Sequence, residues 1–167
     1  MLPIAEHTDW RPLVANKWLL WDTSAVMKVV EFEADDLFAE LERLGVINLY
    51  ISPVQIELAA TADRKAVIQR ADMLAKHFDY PFPFTQNEIE MARKIQSAMS
   101  STCNPGPTDL YLGATLANQN SDLIRLLTGD LKDFPDPFFK RDAYIMLQSS
   151  RHSFPLGVLT TNKSNFD

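Results

Sequence analysis

Trp18-Leu19-Leu20-Trp21-Asp22-Thr23-Ser24 is the stretch whose reading decides the fold. Four apolar residues run into an acid and then two hydroxyl residues. A short, unbroken apolar run is the pattern of a strand buried on both faces, as in a parallel sheet. Ala25 to Glu31 then reads as a helix with Ser24 at its N-cap. Ligands of open α/β sheets bind outside the carboxyl ends of the strands, and Asp22 stands at that address. Taken alone, Asp22 reads first as a cap for the helix that follows. A functional reading requires further acids at the same edge.

Composition bounds the search. A chain of 167 residues, 46% of them hydrophobic, is long enough for one domain with a full core. No apolar run approaches the length of a membrane span. Met1 to Lys17 carries Glu6, His7, Asp9 and Arg11 and lacks the apolar stretch of a signal peptide, so a soluble, cytoplasmic protein is expected. Cys103 is the single cysteine, which excludes an intrachain disulfide and a cysteine-based zinc site. No partner is identifiable that would make Cys103 a nucleophile. His7, His77 and His152 are scattered, without metal-ligand spacing, and read as surface or packing residues. A formal net charge of −6 disfavours a nonspecific nucleic-acid binder. It leaves room for an enzyme that gathers acids around a divalent metal, whose charge would face a phosphate.

Outward from the opening stretch, strands and helices alternate. Residues 1–17 read as an irregular lead-in broken by Pro3 and Pro12. Leu37, Leu41 and Leu44 have helical spacing, and Gly45 is a natural stop. Ile47 to Ile51 is a second strand, and Ser52-Pro53 opens a helix with Glu57 about one turn inside. Val67, Ala71, Leu74 and Phe78 mark an amphipathic stripe read as core packing. Asp79 to Phe84, with two prolines, allows at most a short edge strand. Thr85-Gln86-Asn87-Glu88 is a capping box. Thr108-Asp109 starts a helix whose small residues imply close packing on the sheet. Leu123 to Leu127 is a strand ending in Thr128-Gly129-Asp130-Leu131-Lys132-Asp133. Residues 135–155 read as an extra helical segment centred on Phe138 to Gln148, and Gly157 to Thr160 as the last strand.

Alternating strands and helices imply a three-layer α/β fold with a parallel sheet of about five strands in one domain, 1–167. Right-handed crossovers then bring the strand carboxyl ends to one side. Asp22, Glu57, Asp109 and Asp130 converge there, with Asp133 close behind. Each has an ordinary reading as a cap or helix-dipole partner. Together they repel one another unless cations neutralise them. Oxygen-only donors select hard ions, so Mg2+ or Mn2+ is the expected cofactor.

With these residues in place, the chain resembles the PIN-domain nucleases. The resemblance is carried by Asp22-Thr23-Ser24, Glu57, Asp109, and Thr128-Gly129-Asp130 with Asp133-Phe134, and runs from about Trp18 to Thr160. It implies a metal-dependent phosphodiesterase acting on RNA. It also implies that Asp22, Glu57, Asp109 and Asp130 are metal-binding, catalytic acids, with Asp133 a fifth and more variable position. Thr128, and with it Ser24, would orient them. Many members are toxins of toxin–antitoxin pairs of the VapC type, which implies an antitoxin partner. The lead-in and the 135–155 segment depart from that compact form.

Other readings fare worse. A haloacid-dehalogenase-like phosphatase needs a second acid where Ser24 stands. A Rossmann domain or P-loop needs a glycine-rich turn, and the five glycines lie at 45, 106, 113, 129 and 157. The remaining alternative is a PIN-like module that binds RNA or protein without cutting. Because the acids cannot hold an RNA backbone, basic residues must, with Lys132 beside Asp133 the first candidate. Arg64, Lys65, Lys140, Arg141 and Arg151 are others. The apolar residues of Phe138 to Leu147 are expected to share a helical face with a partner, either a second copy (a homodimer) or an antitoxin.

Overall fold

The computed structural model describes residues 8–166. Pro3 and His7 of the lead-in lie outside the described residues. The rest of the lead-in is not wholly irregular. Arg11–Val14 forms a short helix, α1, with Pro12 in its first turn, where a missing amide breaks no helical bond. The chain continues through β1 (Trp18–Trp21), α2 (Thr23–Glu31), α3 (Asp35–Arg43), β2 (Ile47–Tyr50), α4 (Ser52–Ala59), α5 (Arg64–His77) and β3 (Tyr80–Pro81). Then come α6 (Gln86–Met99), α7 (Pro107–Asn118), β4 (Ile124–Thr128), β5 (Phe139–Gln148) and β6 (Ser153–Thr161).

The strands form one sheet in the order β3-β2-β1-β4-β6-β5. β1 pairs in parallel with β2 on one side and with β4 on the other. The chain therefore runs outward from β1 in one direction and returns to its other flank with β4. The crevice between β1 and β4 is the switch point at which α/β sheets bind ligands. Leu19, Leu20 and Trp21 of β1 are completely buried, as the apolar run requires.

Trp21 anchors the end of that strand. Its indole stacks on Phe38 at 5.3 Å, meets Phe78 edge-on at 5.3 Å, and donates to the buried Asn48 Oδ1 at 2.9 Å. The bond matters because a buried indole N–H left unpaired costs about 1–3 kcal/mol. His77 stacks flat on Phe38 at 4.0 Å, a packing role. Helix ends follow local sequence. Gly45 takes φ +67° after α3, and Val46 N donates to Leu41 O while Gly45 N donates to Glu42 O, a Schellman stop. The Thr85/Glu88 capping box forms at the start of α6. Gly113 of α7 lies so close to Phe139 that an added Cβ would sit 2.9 Å from its Cζ.

The C-terminal edge corrects the sequence reading. Residues expected to be helical over 135–155 instead form β5, a ten-residue strand antiparallel to β6, which is itself antiparallel to β4. The parallel part of the sheet is thus four strands, completed by a hairpin. Phe139, Ala143, Ile145 and Leu147 are buried, at a period of two once a register shift between Arg141 and Ala143 is passed. Asp142 sits in that shift, accepting from Thr160 Oγ1 at 3.0 Å. On α5 the apolar stripe is buried only at Leu74, with Phe78 just beyond the helix, so it packs less than expected. No helix among the described residues is long and apolar enough to cross a membrane.

Candidate functional site

Asp22 follows β1 directly and precedes α2. Its backbone is extended and its side chain makes no capping bond to the helix, so the cap reading fails. The carboxylate is 3% exposed. Oδ2 accepts from Ser24 Oγ and from Thr128 Oγ1, each at 2.6 Å. These hydroxyls are themselves held: Gly129 N donates to Ser24 Oγ at 2.9 Å and Asp130 N to Thr128 Oγ1 at 3.0 Å. The turn after β4 is thereby tied to the turn after β1. Burial pushes the Asp22 carboxyl above its ordinary range. The two hydroxyls and the Thr23 amide pull it back, and the charge of Glu57 adds to the rise.

Glu57 projects from α4 and is gripped by two further hydroxyls. Thr108 Oγ1 donates to Oε1 at 2.6 Å and Thr23 Oγ1 donates to Oε2. Sequence reading gave neither threonine a role in the site. The only signal was adjacency, each being next to an acid, in Asp22-Thr23 and Thr108-Asp109.

Asp109 lies in the first turn of α7, where Oδ2 accepts from Gly106 N at 3.2 Å. The helix-terminus role is therefore real, but it does not dominate. Burial, then Asp22 and Asp133, push its carboxyl up to about 7, with the Gly106 amide opposing and Glu57 adding to the rise. Asp133 is raised by burial and by Asp130 and Asp22, with Lys132 countering. Asp130 accepts from Lys132 N at 3.2 Å, which shapes the turn, while Lys132 itself is exposed. Burial and the charges of Asp133 and Asp109 hold the Cys103 thiol protonated. Asp22, Asp109 and Asp133 thus feel neighbouring carboxylates: Glu57 on Asp22, Asp22, Asp133 and Glu57 on Asp109, and Asp130 and Asp22 on Asp133.

This donor set is made of oxygen alone, and its charges repel. Both features fit a hard divalent cation. Among the described residues, however, no three histidine, cysteine, aspartate or glutamate side chains are gathered closely enough to enclose one ion. Mg2+ does not demand such a cage. It keeps several waters and is commonly held by one or two carboxylates together with substrate phosphate.

No family model matches the chain, and no curated protein matches it. A solved structure does. One chain of VapBC2 from Rickettsia felis, crystallised bound to a DNA fragment from their promoter, superposes with a TM-score of 0.55 at 14% identity. The match covers 70% of this chain and 90% of that one. At that identity the likeness is one of fold.

Proposed function

We propose that this protein is a metal-dependent phosphodiesterase that cuts RNA in the manner of PIN-type nucleases. The observation that carries the reading is Asp109. Burial and neighbouring acids push its carboxyl up to about 7, while hydroxyls clamp Asp22 and Glu57 beside it. Carboxyls perturbed by burial and by one another at the carboxyl edge of a sheet are the pattern of a functional site.

Asp22 and Asp109 are the residues that would hold Mg2+ or Mn2+, with Glu57, Asp130 and Asp133 completing the negative field. When bound, such an ion lowers the pKa of a water and neutralises the phosphate being cleaved. The side chains supply the rest. Ser24 and Thr128 fix the rotamer of Asp22, and Thr23 and Thr108 fix Glu57. Asp109, whose carboxyl is pushed up by burial and by Asp22 and Asp133, is the acid whose ionised form a bound cation would favour most.

The fold shared with a VapBC2 chain supports the finer proposal of a toxin with an antitoxin partner. The partner face expected on a helix narrows to Tyr144 and Met146, 39% and 40% exposed on the edge strand β5. Either an antitoxin or a second copy of the chain would cover it, and light scattering of the purified protein separates these.

The test is cleavage of a mixed RNA substrate with manganese, with excess EDTA, and with Asp109→Asn. The expected result is manganese-dependent cutting that leaves 5′-phosphates and is lost in both controls. Cutting that survives EDTA overturns the proposal. RNA binding without cutting by the manganese-loaded wild type supports the non-cleaving module instead.

A further inference from the structure

A second cleft, of about 490 Å³, adjoins the acidic crevice and opens between α2, α5 and the β5–β6 hairpin. Ser24, Gly129 and Asp130 line it, and Ser24 Oγ donates to Asp22 Oδ2, so the cleft borders the residues that position Asp22. Its lining mixes charge with apolar surface: Lys28 and Arg70 stand with Glu31 and Asp130 around Phe154. Phe154, half-buried on β6, presents a ring there, and Lys28 of α2 places its ammonium 4.8 Å from the ring centroid. Arg70 of α5 also lines it, with Nη1 donating to Leu58 O at 3.0 Å and the rest of the guanidinium left for a phosphate. Gly129 lets the ring approach: a Cβ at that position would stand 3.0 Å from Phe154 Cε1.

An aromatic face with two cations, continuous with a carboxylate site, is the chemistry of an unpaired nucleotide. The ring stacks a base and the cations meet backbone phosphates. The volume falls within the usual range of small-ligand sites. Lys28 is a flexible chain whose second contact is the exposed Glu31, at 2.7 Å. It can leave the ring for a phosphate oxygen and free the face for a base.

We propose that this cleft is a nucleotide subsite, in which a base flanking the scissile phosphate stacks on Phe154 while Lys28 and Arg70 hold the backbone. The inference rests on the nuclease reading above and assigns that activity a preference for single strands. Phe154 comes from the start of β6, within the 135–155 segment that sequence reading took as helical.

The experiment uses a fluorescein-labelled single-stranded RNA decamer and versions in which one abasic nucleotide is walked along the strand. Binding is measured by anisotropy on the Asp109→Asn background with manganese, and cleavage on the wild-type background. One abasic position should weaken binding to the Asp109→Asn protein with Phe154 intact by roughly 5- to 100-fold, the loss of one base–aromatic stack. Phe154→Ala should abolish that positional penalty and raise KM with kcat changed by no more than about twofold, whereas Phe154→Trp should restore both. Ala66→Glu lines the same cleft from an α5 surface position, away from the hairpin, and should weaken binding through its charge alone. Lys28→Ala should lower the salt slope by about 0.7.

A penalty sensitive to Phe154 in a protein that never cuts keeps the subsite and overturns the nuclease. Cutting by the wild type, with abasic sensitivity and KM unchanged in Phe154→Ala and Ala66→Glu, overturns the subsite and keeps the nuclease. Failure of every decamer to bind the manganese-loaded protein overturns the subsite.

Discussion

Thr128 Oγ1 donates to Asp22 Oδ2 at 2.6 Å, across 106 positions of sequence and between the ends of two paired strands. Thr128 is fully buried and its oxygen also accepts from Asp130 N. One hydroxyl therefore aligns an acid of the first strand with the turn that carries two acids of the fourth. Thr128→Val keeps the shape and removes the hydrogen bonds. It should cost about 1–3 kcal/mol, the penalty for leaving buried partners unsatisfied. Cleavage should fall more than stability accounts for. Denaturant melts and kinetics of Thr128→Val against Ser24→Ala, which removes the second donor to Asp22, check this.

Asp109 makes stability depend on pH in a defined direction. Its folded carboxyl is pushed up to about 7, above the ordinary aspartate value, so the folded state binds a proton that the unfolded chain has released. Stability should therefore fall as pH rises from about 4 to about 7 and level off above that. Asp109→Asn removes the effect. After allowance for partial exposure and screening, it should gain on the order of 1–2 kcal/mol at pH 8 and nothing at pH 4. Urea melts at the two pH values measure the difference. An Asp109→Asn that is less stable at pH 8 would show that the Gly106 contact outweighs the repulsion.

Metal should reverse that repulsion. Manganese at about a hundred times its dissociation constant should stabilise the wild type by about 2.7 kcal/mol, through selective binding to the folded state. Asp22→Asn should melt at or above the metal-free wild type, because Asn still offers an oxygen to Ser24 and Thr128. It should also gain much less from manganese. Thermal melts with and without the ion test this, and a wild type that manganese does not shift would contradict it.

Lys132 is exposed beside the acids, with its amide committed to Asp130 Oδ1 and its ammonium free to reach outward. If it meets an RNA phosphate, Lys132→Ala should weaken binding evenly across sequences and flatten the salt dependence by about 0.7. An unchanged slope assigns the lysine to solubility.

Gly113 should not tolerate a methyl group. Its added Cβ would stand 2.9 Å from Phe139 Cζ, with Ile95 close on the other side. Gly113→Ala should destabilise by about 1–3 kcal/mol, as overpacking does, despite the better helix propensity of alanine. Chemical denaturation decides the sign.

What the sequence determined by itself was much of the short-range chemistry, though not every cap: α2 starts at Thr23 and α4 at Ser52, each one residue or more ahead of the expected start. The buried run Trp18–Trp21 is a strand because nothing in it needs water. Gly45 stops α3 because that stop needs a positive φ, and Thr85 and Glu88 cap α6 because their spacing lets each reach the other's amide. The placement of Asp22, Asp109 and Asp130 at the carboxyl edge followed from alternation and crossover handedness. The tertiary structure decided the rest. Phe139–Gln148 has enough consecutive apolar residues to pass for a helix. It is a strand because β6 pairs with it, and the shift at Asp142 conceals its period of two from any local reading. Thr23 and Thr108 reach Glu57 only because the first turns of α2 and α7 meet α4 in the folded chain. The proton affinity of Asp109 belongs to no residue singly: it arises from burial together with charges 24 to 87 positions away in the chain, on Asp133 and Asp22.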